Sequence, residues 1–107
     1  MLKHATHAAA IAFVLLFASR ISLAQDAGAD LFKTKCAACH GPDGLAKTPM
    51  GPALGVISYK DPAVLKMKDA DLIATIKNGK NKMPKFDGKL TDAQIKDLVK
   101  YIHTLQK

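Results

Sequence analysis

The apolar residues near the end of the chain recur with the period of a helix. They are three or four positions apart, so in a helix they lie along one face. Immediately before them, Thr91 and Gln94 have the spacing of a capping box, in which each side chain bonds to the backbone of the other residue. The pattern predicts a final helix that starts after Thr91 and buries one face, formed by Ile95, Leu98, Val99, Ile102 and Leu105.

A helical pattern also occupies residues 26–39. Asp26 is a suitable N-cap, and apolar residues follow it at helical spacing. Phe32 precedes Cys36 by one helical turn, so the two side chains share a face. We therefore predict a first helix over 26–39, with Phe32 on the face that carries the first cysteine.

Between these two helices, helix breakers separate short helical segments. Seven of the fifteen residues in 41–55 are Gly or Pro, which predicts a long loop. A short helix is predicted over 61–68, with Pro62 in its first turn, and another over about 69–77, which Gly79 terminates. No segment has the alternation of a strand, so the predicted fold is all-α.

The first 24 residues have the organisation of a secretory signal peptide. Lys3 lies in a short basic region, an apolar segment covers 8–18, and a small-x-small cleavage site precedes Gln25. The apolar segment is too short to span a membrane, which takes about 20 apolar residues. We expect 1–24 to be a signal peptide and 25–107 to be one soluble domain, exported to the periplasm without stable membrane insertion.

The expected mature domain is small and basic. Its 83 residues are close to the size at which a domain commonly needs a disulfide, a metal or another support. The net charge falls from +7 to +5 without the leader, because Lys3 and Arg20 are lost while all nine acidic residues lie after residue 24. This charge is compatible with an acidic partner, and no aromatic-rich basic patch indicates nucleic-acid binding.

The most specific motif in the chain is Cys-Ala-Ala-Cys-His at 36–40. Two thiols three residues apart, followed directly by histidine, are the attachment signature of a c-type haem. In a helical turn the sulfurs of Cys36 and Cys39 can each form a thioether to one macrocycle, and His40 can bind its iron. The motif predicts one covalently attached haem c.

Other sites that use the same residue types fit the chain less well. A thioredoxin-type motif requires a βαβ context, which the predicted helices do not offer. A structural zinc site takes four ligands, and outside the leader only His103 remains after the three residues of the motif. A disulfide between Cys36 and Cys39 stays open as an alternative, although it leaves His40 without a role.

Taken together, these elements resemble the small class I cytochromes c, in particular the short bacterial and cytochrome c6-like members. The similarity covers nearly all of residues 26–107. It implies the cytochrome c fold, in which the first and last helices cross while short middle helices and loops wrap one haem. The matching motifs are Gly28 with Phe32, CAACH at 36–40, Gly51-Pro52-x-Leu54, NGKNKMPKF at 78–86, and Leu98 with Tyr101.

The resemblance implies a role for each residue of the motifs. Cys36 and Cys39 would carry the thioethers. His40 and Met83 would be the two axial ligands of the iron, one nitrogen and one sulfur.

Other residues would complete the environment of the haem. The carbonyl of Pro52 would accept a hydrogen bond from the His40 ring, which fixes the orientation of that ligand. Leu54, from the same loop, would turn toward the haem edge. At the crossing of the terminal helices, Gly28 would allow the two backbones to approach closely.

Met83 has competitors for the second axial position. Methionine is more often a core residue than a ligand, and Met50 and Met67 are also available. Met67 falls in a predicted helix, whereas Met50 lies in the loop and is the main alternative. Pro84 favours an extended backbone at Met83, and the resemblance assigns the ligand to this position. His103 is expected to be a solvated helix residue.

The resemblance implies a one-electron carrier rather than an enzyme, with no catalytic residue. Histidine and methionine ligands would leave no open iron position for a substrate. Redox proteins with acidic docking surfaces are the expected partners of a monomer, and the lysines that would attract them are Lys35, Lys47, Lys80, Lys82 and Lys85. The alternatives are a five-coordinate haem peroxidase or gas-binding cytochrome, and a haem-free module with a disulfide.

Overall fold

The computed structural model describes residues 27–107, which form helices without any strand in this range. The helices are α1 over 27–35, α2 Ala37–His40, α3 Met50–Ala53, α4 Pro62–Leu65, α5 Asp69–Asn78 and α6 Asp92–Leu105. The prediction of an all-α fold is confirmed. The expected signal peptide lies outside the described residues, and within them no helix is both long and apolar enough to cross a membrane.

Both hydrogen bonds of the predicted capping box are present at the start of α6. The Gln94 amide donates to Thr91 Oγ1 (3.1 Å), and the Thr91 amide donates to Gln94 Oε1 (2.8 Å). Such a cap stabilises a helix start by about 1 kcal/mol. The predicted apolar face is also confirmed, because the core contains Ile95, Leu98, Val99 and Ile102, with Leu105 packed against it.

The first predicted helix is interrupted at Cys36. α1 ends at residue 35 and α2 begins at Ala37, because the Cys36 backbone departs from helical geometry (φ −121°, ψ −35°). The Cys36 amide still donates to the Phe32 carbonyl (2.9 Å), so the two helices remain connected by a helical hydrogen bond. The prediction of one continuous helix over 26–39 is therefore wrong at this residue, and its predicted N-cap lies outside the described residues.

α4 and α5 lie near their predicted positions, with one shift. The Ala63 amide donates to Asp61 Oδ1 (2.9 Å), which caps the start of α4. α4 ends at Leu65 instead of residue 68, because Lys68 adopts an extended conformation (ψ 158°) as the N-cap of α5. Gly79 terminates α5 as predicted, with a φ of 74° that glycine adopts without strain.

The loop over 41–55 contains one helical turn, α3, which its Gly and Pro content did not predict. The Gly51 amide donates to Thr48 Oγ1 (2.9 Å), and the Thr48 hydroxyl donates to the Cys39 carbonyl (3.0 Å). A polar side chain therefore joins the start of α3 to the end of α2. This contact holds the loop against the helical turn that carries the cysteine–histidine motif.

α1 and α6 cross at Gly28, as the resemblance implied. A Cβ atom at this position would lie 2.6 Å from the Asp97 carbonyl oxygen, so the observed approach of the two backbones requires glycine. One turn later Phe32 is fully buried, and its ring centroid lies 5.2 Å from that of Tyr101. From this crossing the core extends toward α5 and the later loop through Tyr59, Val64, Leu72, Ile76, Phe86 and Leu90.

We expect Gly28→Ala to destabilise the protein by about 1–3 kcal/mol, the cost typical of overpacking. Alanine is normally favoured over glycine inside a helix by about 1 kcal/mol, so a net loss would come from the contact with Asp97. Chemical denaturation measures the effect. Ala27→Leu, at an exposed position of α1, is the control and should change the free energy of unfolding by less than about 0.5 kcal/mol. Unchanged stability of Gly28→Ala would contradict the close crossing.

Candidate cofactor site

One cleft lies between α2, residues 54–59, α5 and the loop over 80–86, with a cavity volume of about 260 Å³. Its wall is mostly apolar, and the apolar side chains come from well-separated parts of the sequence. They include Leu54, Val56, Ile57, Val64, Leu72 and Phe86. Binding sites for small molecules and cofactors are typically apolar concavities with a few polar groups, and this cleft has that composition.

Five of the six predicted site residues line this cleft. They are Cys36, Cys39, His40, Leu54 and Met83. The sixth, Pro52, is exposed and does not line it. The fold therefore brings the cysteine–histidine motif and the distant methionine to one cavity.

Cys36 and Cys39 are half-buried free thiols in the wall of the cleft. The amides of Cys39 and His40 donate to the Cys36 carbonyl (3.3 and 3.0 Å), which keeps the motif in a helical turn. Burial, with a smaller contribution from Cys39, raises the pKa of the Cys36 thiol to about 11. Cys36 is therefore a neutral thiol at pH 7.

The His40 ring contributes a buried polar atom to the site. Among the described residues its Nδ1 atom has no hydrogen-bond partner. Burial lowers the pKa of His40 below its usual value, which favours the neutral imidazole that metal binding requires. The expected hydrogen bond to Pro52 is not formed, and the Pro52 carbonyl accepts from the Gly55 amide (3.2 Å) instead.

Tyr59 is a neighbour of His40 that the sequence did not predict. The two rings stack with their centroids 4.9 Å apart and an angle of 21° between their planes. The Tyr59 amide donates to the Gly44 carbonyl (2.9 Å), so the loop after α2 holds Tyr59 in place. No local sequence signal predicts this contact, because it depends on how the intervening loop returns to α2.

A tight turn holds Met83 at the cleft. The Met83 amide donates to the Lys80 carbonyl (2.9 Å), and the Lys80 amide donates to the Met83 carbonyl (3.3 Å). The carbonyl of Met83 also approaches Gly79, where an added Cβ atom would lie 2.6 Å from it. The backbone around Met83 is therefore closely packed while its side chain, half-buried, faces the cavity.

In the structure, Met67 and not Met50 is the main alternative to Met83 as the second axial ligand. Met50 is 48% exposed and does not line the cleft, because the one-turn helix α3 holds it at the surface. Met67 is half-buried, packs against the core and lines the cleft. It lies just beyond Lys66, the C-cap of α4, and is not inside a helix, so its predicted helical position was also wrong.

Three of the five candidate docking lysines line the cleft, namely Lys35, Lys80 and Lys82. Lys47 and Lys85 lie outside its lining. All five are exposed, and none forms an ion pair within residues 27–107. The polar margin of the cleft therefore carries positive charge that is available to an outside partner.

His103 lies away from the cleft and is not simply solvated. Its Nε2 atom is 2.6 Å from Asp69 Oδ1, and its Nδ1 atom is 2.9 Å from Gln106 Oε1. The prediction missed these contacts because Asp69 reaches His103 only when α5 packs against α6.

The residues around the cleft fit a covalently bound haem. Two thiols suit the thioether bonds, and an imidazole with a methionine sulfur is a known pair of axial ligands in cytochromes c. A buried ring nitrogen without a partner is unfavourable. A histidine that binds metal through one ring nitrogen usually donates a hydrogen bond through the other, and among the described residues His40 has no such partner.

Comparison with known proteins agrees with this chemistry. The family model described as "Cytochrome C oxidase, cbb3-type, subunit III" matches residues 23–102. Cytochrome c6 from Limnospira maxima is 38% identical over 81 residues, which cover 71% of this chain and 86% of the relative. Cytochrome c6 from Thermosynechococcus vestitus is 36% identical over 110 residues, covering 95% of this chain and 91% of the relative.

Similarity also extends to part of a larger protein. The cbb3-type cytochrome c oxidase subunit FixP from Bradyrhizobium sp. (strain ORS 278) is 37% identical over 81 residues. That alignment covers 74% of this chain but only 27% of FixP. The chain therefore corresponds to about a quarter of that subunit.

Proposed function

Because the chain belongs to the cytochrome c family, as a small class I monohaem member with covalent haem c, we propose that it is an electron carrier with His40 and Met83 as axial ligands. Cys36 and Cys39 form the two thioethers. One observation carries the proposal: the cysteine–histidine motif and Met83, which is distant from it in sequence, line a single apolar cleft.

The residues of the cleft hold the cofactor and exclude other chemistry. When bound, the haem supplies an iron that accepts and releases one electron. His40 and Met83 would together hold the iron and leave no position on it for a substrate, and the methionine sulfur would favour the reduced state. The apolar wall limits access of water, which also tunes the potential. No side chain of the cleft has to act as an acid, a base or a nucleophile.

The turn around Met83 supports its assignment as a ligand. Reciprocal hydrogen bonds to Lys80 and the close approach of Gly79 fix the backbone at this position. A ligand on a fixed backbone changes position little between the two oxidation states, which suits electron transfer. Leu54 and Tyr59 line the same cleft, and the Tyr59 ring stacks on that of His40.

We further propose that the protein works as a monomer in the periplasm, after removal of residues 1–24. The similarity to cytochromes c6 along most of their length supports a free carrier, whereas the chain matches only a minor part of FixP. Redox proteins with acidic surfaces are the proposed partners, because the cleft margin carries Lys35, Lys80 and Lys82.

The optical and mass spectra of the exported protein test the proposed function. The expected product begins at Gln25, carries one covalent haem, and in its reduced form does not react with carbon monoxide. A colourless product would support the haem-free alternative. A red product that binds carbon monoxide at once would support the five-coordinate alternative, a peroxidase or gas-binding cytochrome.

We expect removal of two cleft lysines to slow reaction with a negatively charged oxidant. Electrostatic steering raises association rates by 10- to 1,000-fold, so Lys80→Gln with Lys82→Gln should lower the rate on the order of tenfold at low salt. Stopped-flow oxidation of the reduced protein by hexacyanoferrate(III) measures this rate. The difference from the parent should shrink as salt increases, because exposed charges are screened.

A second double variant controls for the change in net charge. Lys96 and Lys100 are exposed residues of α6 and do not line the cleft. Lys96→Gln with Lys100→Gln removes the same two charges and should alter the rate much less. Equal effects of the two double variants would contradict a role for the cleft margin.

A further inference from the structure

A chain of hydrogen bonds joins α5, α6 and the segment that carries Tyr59. His103 on α6 contacts Asp69, the first residue of α5, through Nε2 (2.6 Å) and Gln106 Oε1 through Nδ1 (2.9 Å). The side-chain amide of Gln106 then donates from Nε2 to the Tyr59 carbonyl (3.2 Å). Three separate segments therefore meet at two polar side chains, those of His103 and Gln106.

The geometry of these hydrogen bonds requires two protons on the His103 ring. A backbone carbonyl only accepts hydrogen bonds, so the contact with Tyr59 uses the Nε2 group of Gln106 and leaves its Oε1 atom facing His103. The carboxylate of Asp69 is also an acceptor. A neutral imidazole has one N–H group and can serve only one of these two acceptors. Only the imidazolium form of His103 donates to both Asp69 and Gln106.

The last residue in this series of hydrogen bonds, Tyr59, lies next to the proposed haem site. The ring of Tyr59 stacks on that of His40, with centroids 4.9 Å apart. Tyr59 also lines the cleft and lies 6.1 Å, centroid to centroid, from the fully buried Phe32. A change in the hydrogen bonding of the Tyr59 backbone therefore acts on a residue in contact with the predicted iron ligand.

We propose that Asp69, His103 and Gln106 form a pH-sensitive tie that positions Tyr59 against His40. When His103 loses a proton, the N–H group that faces the carboxylate is retained, and Nδ1 then faces Gln106 Oε1 with no proton between them. The bond to Gln106 is lost and the amide is released from its fixed orientation. His103, Gln106 and Tyr59 are positioning residues in this scheme, and an effect on the reduction potential rests on the function proposed above.

The charges around His103 agree with this scheme. Hydrogen bonds with Asp69 and then with Gln106 raise the pKa of His103 above its usual value, while burial acts in the opposite direction. Asp69 on α5 is the charged group that acts on the ring, Gln106 is neutral, and the Tyr59 segment contributes only a backbone carbonyl. His103 is 42% exposed, so protons exchange freely with solvent. The tie is complete in acid and is lost as pH rises through the raised pKa.

Nuclear magnetic resonance of the reduced, haem-loaded protein tests the tie directly. In the parent, the Tyr59 carbonyl and the Lys60 amide should titrate together with the His103 ring. In Gln106→Leu, His103 should still titrate while the signals of Tyr59 and Lys60 no longer follow it. In Asp69→Asn, the pKa of His103 should move back toward its usual value.

The salt bridge between Lys77 and Asp92 offers a matched control. It joins the other ends of α5 and α6 through a 3.3 Å contact. Asp92→Asn removes one carboxylate, as Asp69→Asn does, and should leave both titrations unchanged. The tie is overturned if the Tyr59 signals do not titrate in the parent, or if they still follow His103 in Gln106→Leu.

The reduction potential separates this inference from the proposed function. The potential of the parent should change with pH around the pKa of His103, and this change should be absent in Gln106→Leu. If the Tyr59 carbonyl signal follows the titration of His103 but the reduction potential does not change with pH, the link to the haem is overturned and the tie is not. The pH dependence of the Tyr59 carbonyl signal does not require Met83 to bind the iron. Failure of the ligand assignment would therefore be recognised separately.

Discussion

The Met83→Ala variant is expected to bind carbon monoxide in its reduced state, whereas the parent protein does not. Met83 supplies a sulfur to the cleft from a turn with a fixed backbone, and alanine has no donor atom at this position. Loss of the sulfur ligand should also lower the reduction potential by on the order of 0.1 V, within the ~0.8 V range that axial ligands span. Absorption spectra with and without carbon monoxide, and a redox titration, measure both effects.

Two other methionines provide controls for this experiment. Met67 also lines the cleft and is half-buried, while Met50 is largely exposed and lies outside it. Met67→Ala and Met50→Ala should both remain unreactive toward carbon monoxide. If Met67→Ala binds carbon monoxide and Met83→Ala does not, Met67 is the ligand and the assignment by resemblance is wrong.

Features that depend on neighbouring residues were predictable from the sequence. The Thr91–Gln94 capping box and the Gly79 terminator act over one helical turn, and both are present in the structure. The apolar stripe of α6 determines which face is buried because its period matches that of the helix. The Cys36–His40 motif is also local, since its spacing reflects the geometry of one helical turn.

Features that depend on contacts between distant segments were not predictable. The sequence ranked Met50 above Met67 as the alternative ligand, and the structure reverses this order, because it depends on where α3 and the end of α4 lie relative to the cleft. The contacts of Tyr59 and His103 were missed for the same reason: their partners, His40 and Asp69, come from other elements. The resemblance to a family helped most where such contacts matter, as at Gly28.

The position of Phe32 connects the fold with the site. It lies one turn before Cys36, so the helix that presents the first thiol is held by a side chain buried at the crossing of α1 and α6. Its ring contacts Tyr101 on α6 and Tyr59 beside His40. Packing of the helix crossing and placement of the cysteine–histidine motif therefore depend on the same residue.

Phe32→Ala is accordingly expected to destabilise the protein more than Gly28→Ala or any of the cleft substitutions. Truncation of a buried phenylalanine costs about 3–5 kcal/mol, and a domain has only about 5–15 kcal/mol in total. Phe32 is fully buried between two aromatic rings, so water does not readily reach the cavity that the alanine substitution would leave. Guanidinium denaturation of the haem-loaded protein, followed by far-ultraviolet circular dichroism, measures the loss.

Two variants at and beside this position separate the loss of packing from other effects. Phe32→Leu keeps most of the apolar volume and should cost much less than Phe32→Ala, because volume-conserving changes are tolerated best. Lys33→Ala alters the adjacent exposed residue and should change stability by less than about 0.5 kcal/mol. If Phe32→Ala were no more destabilising than Lys33→Ala, the helix crossing would not be the element that supports the attachment motif.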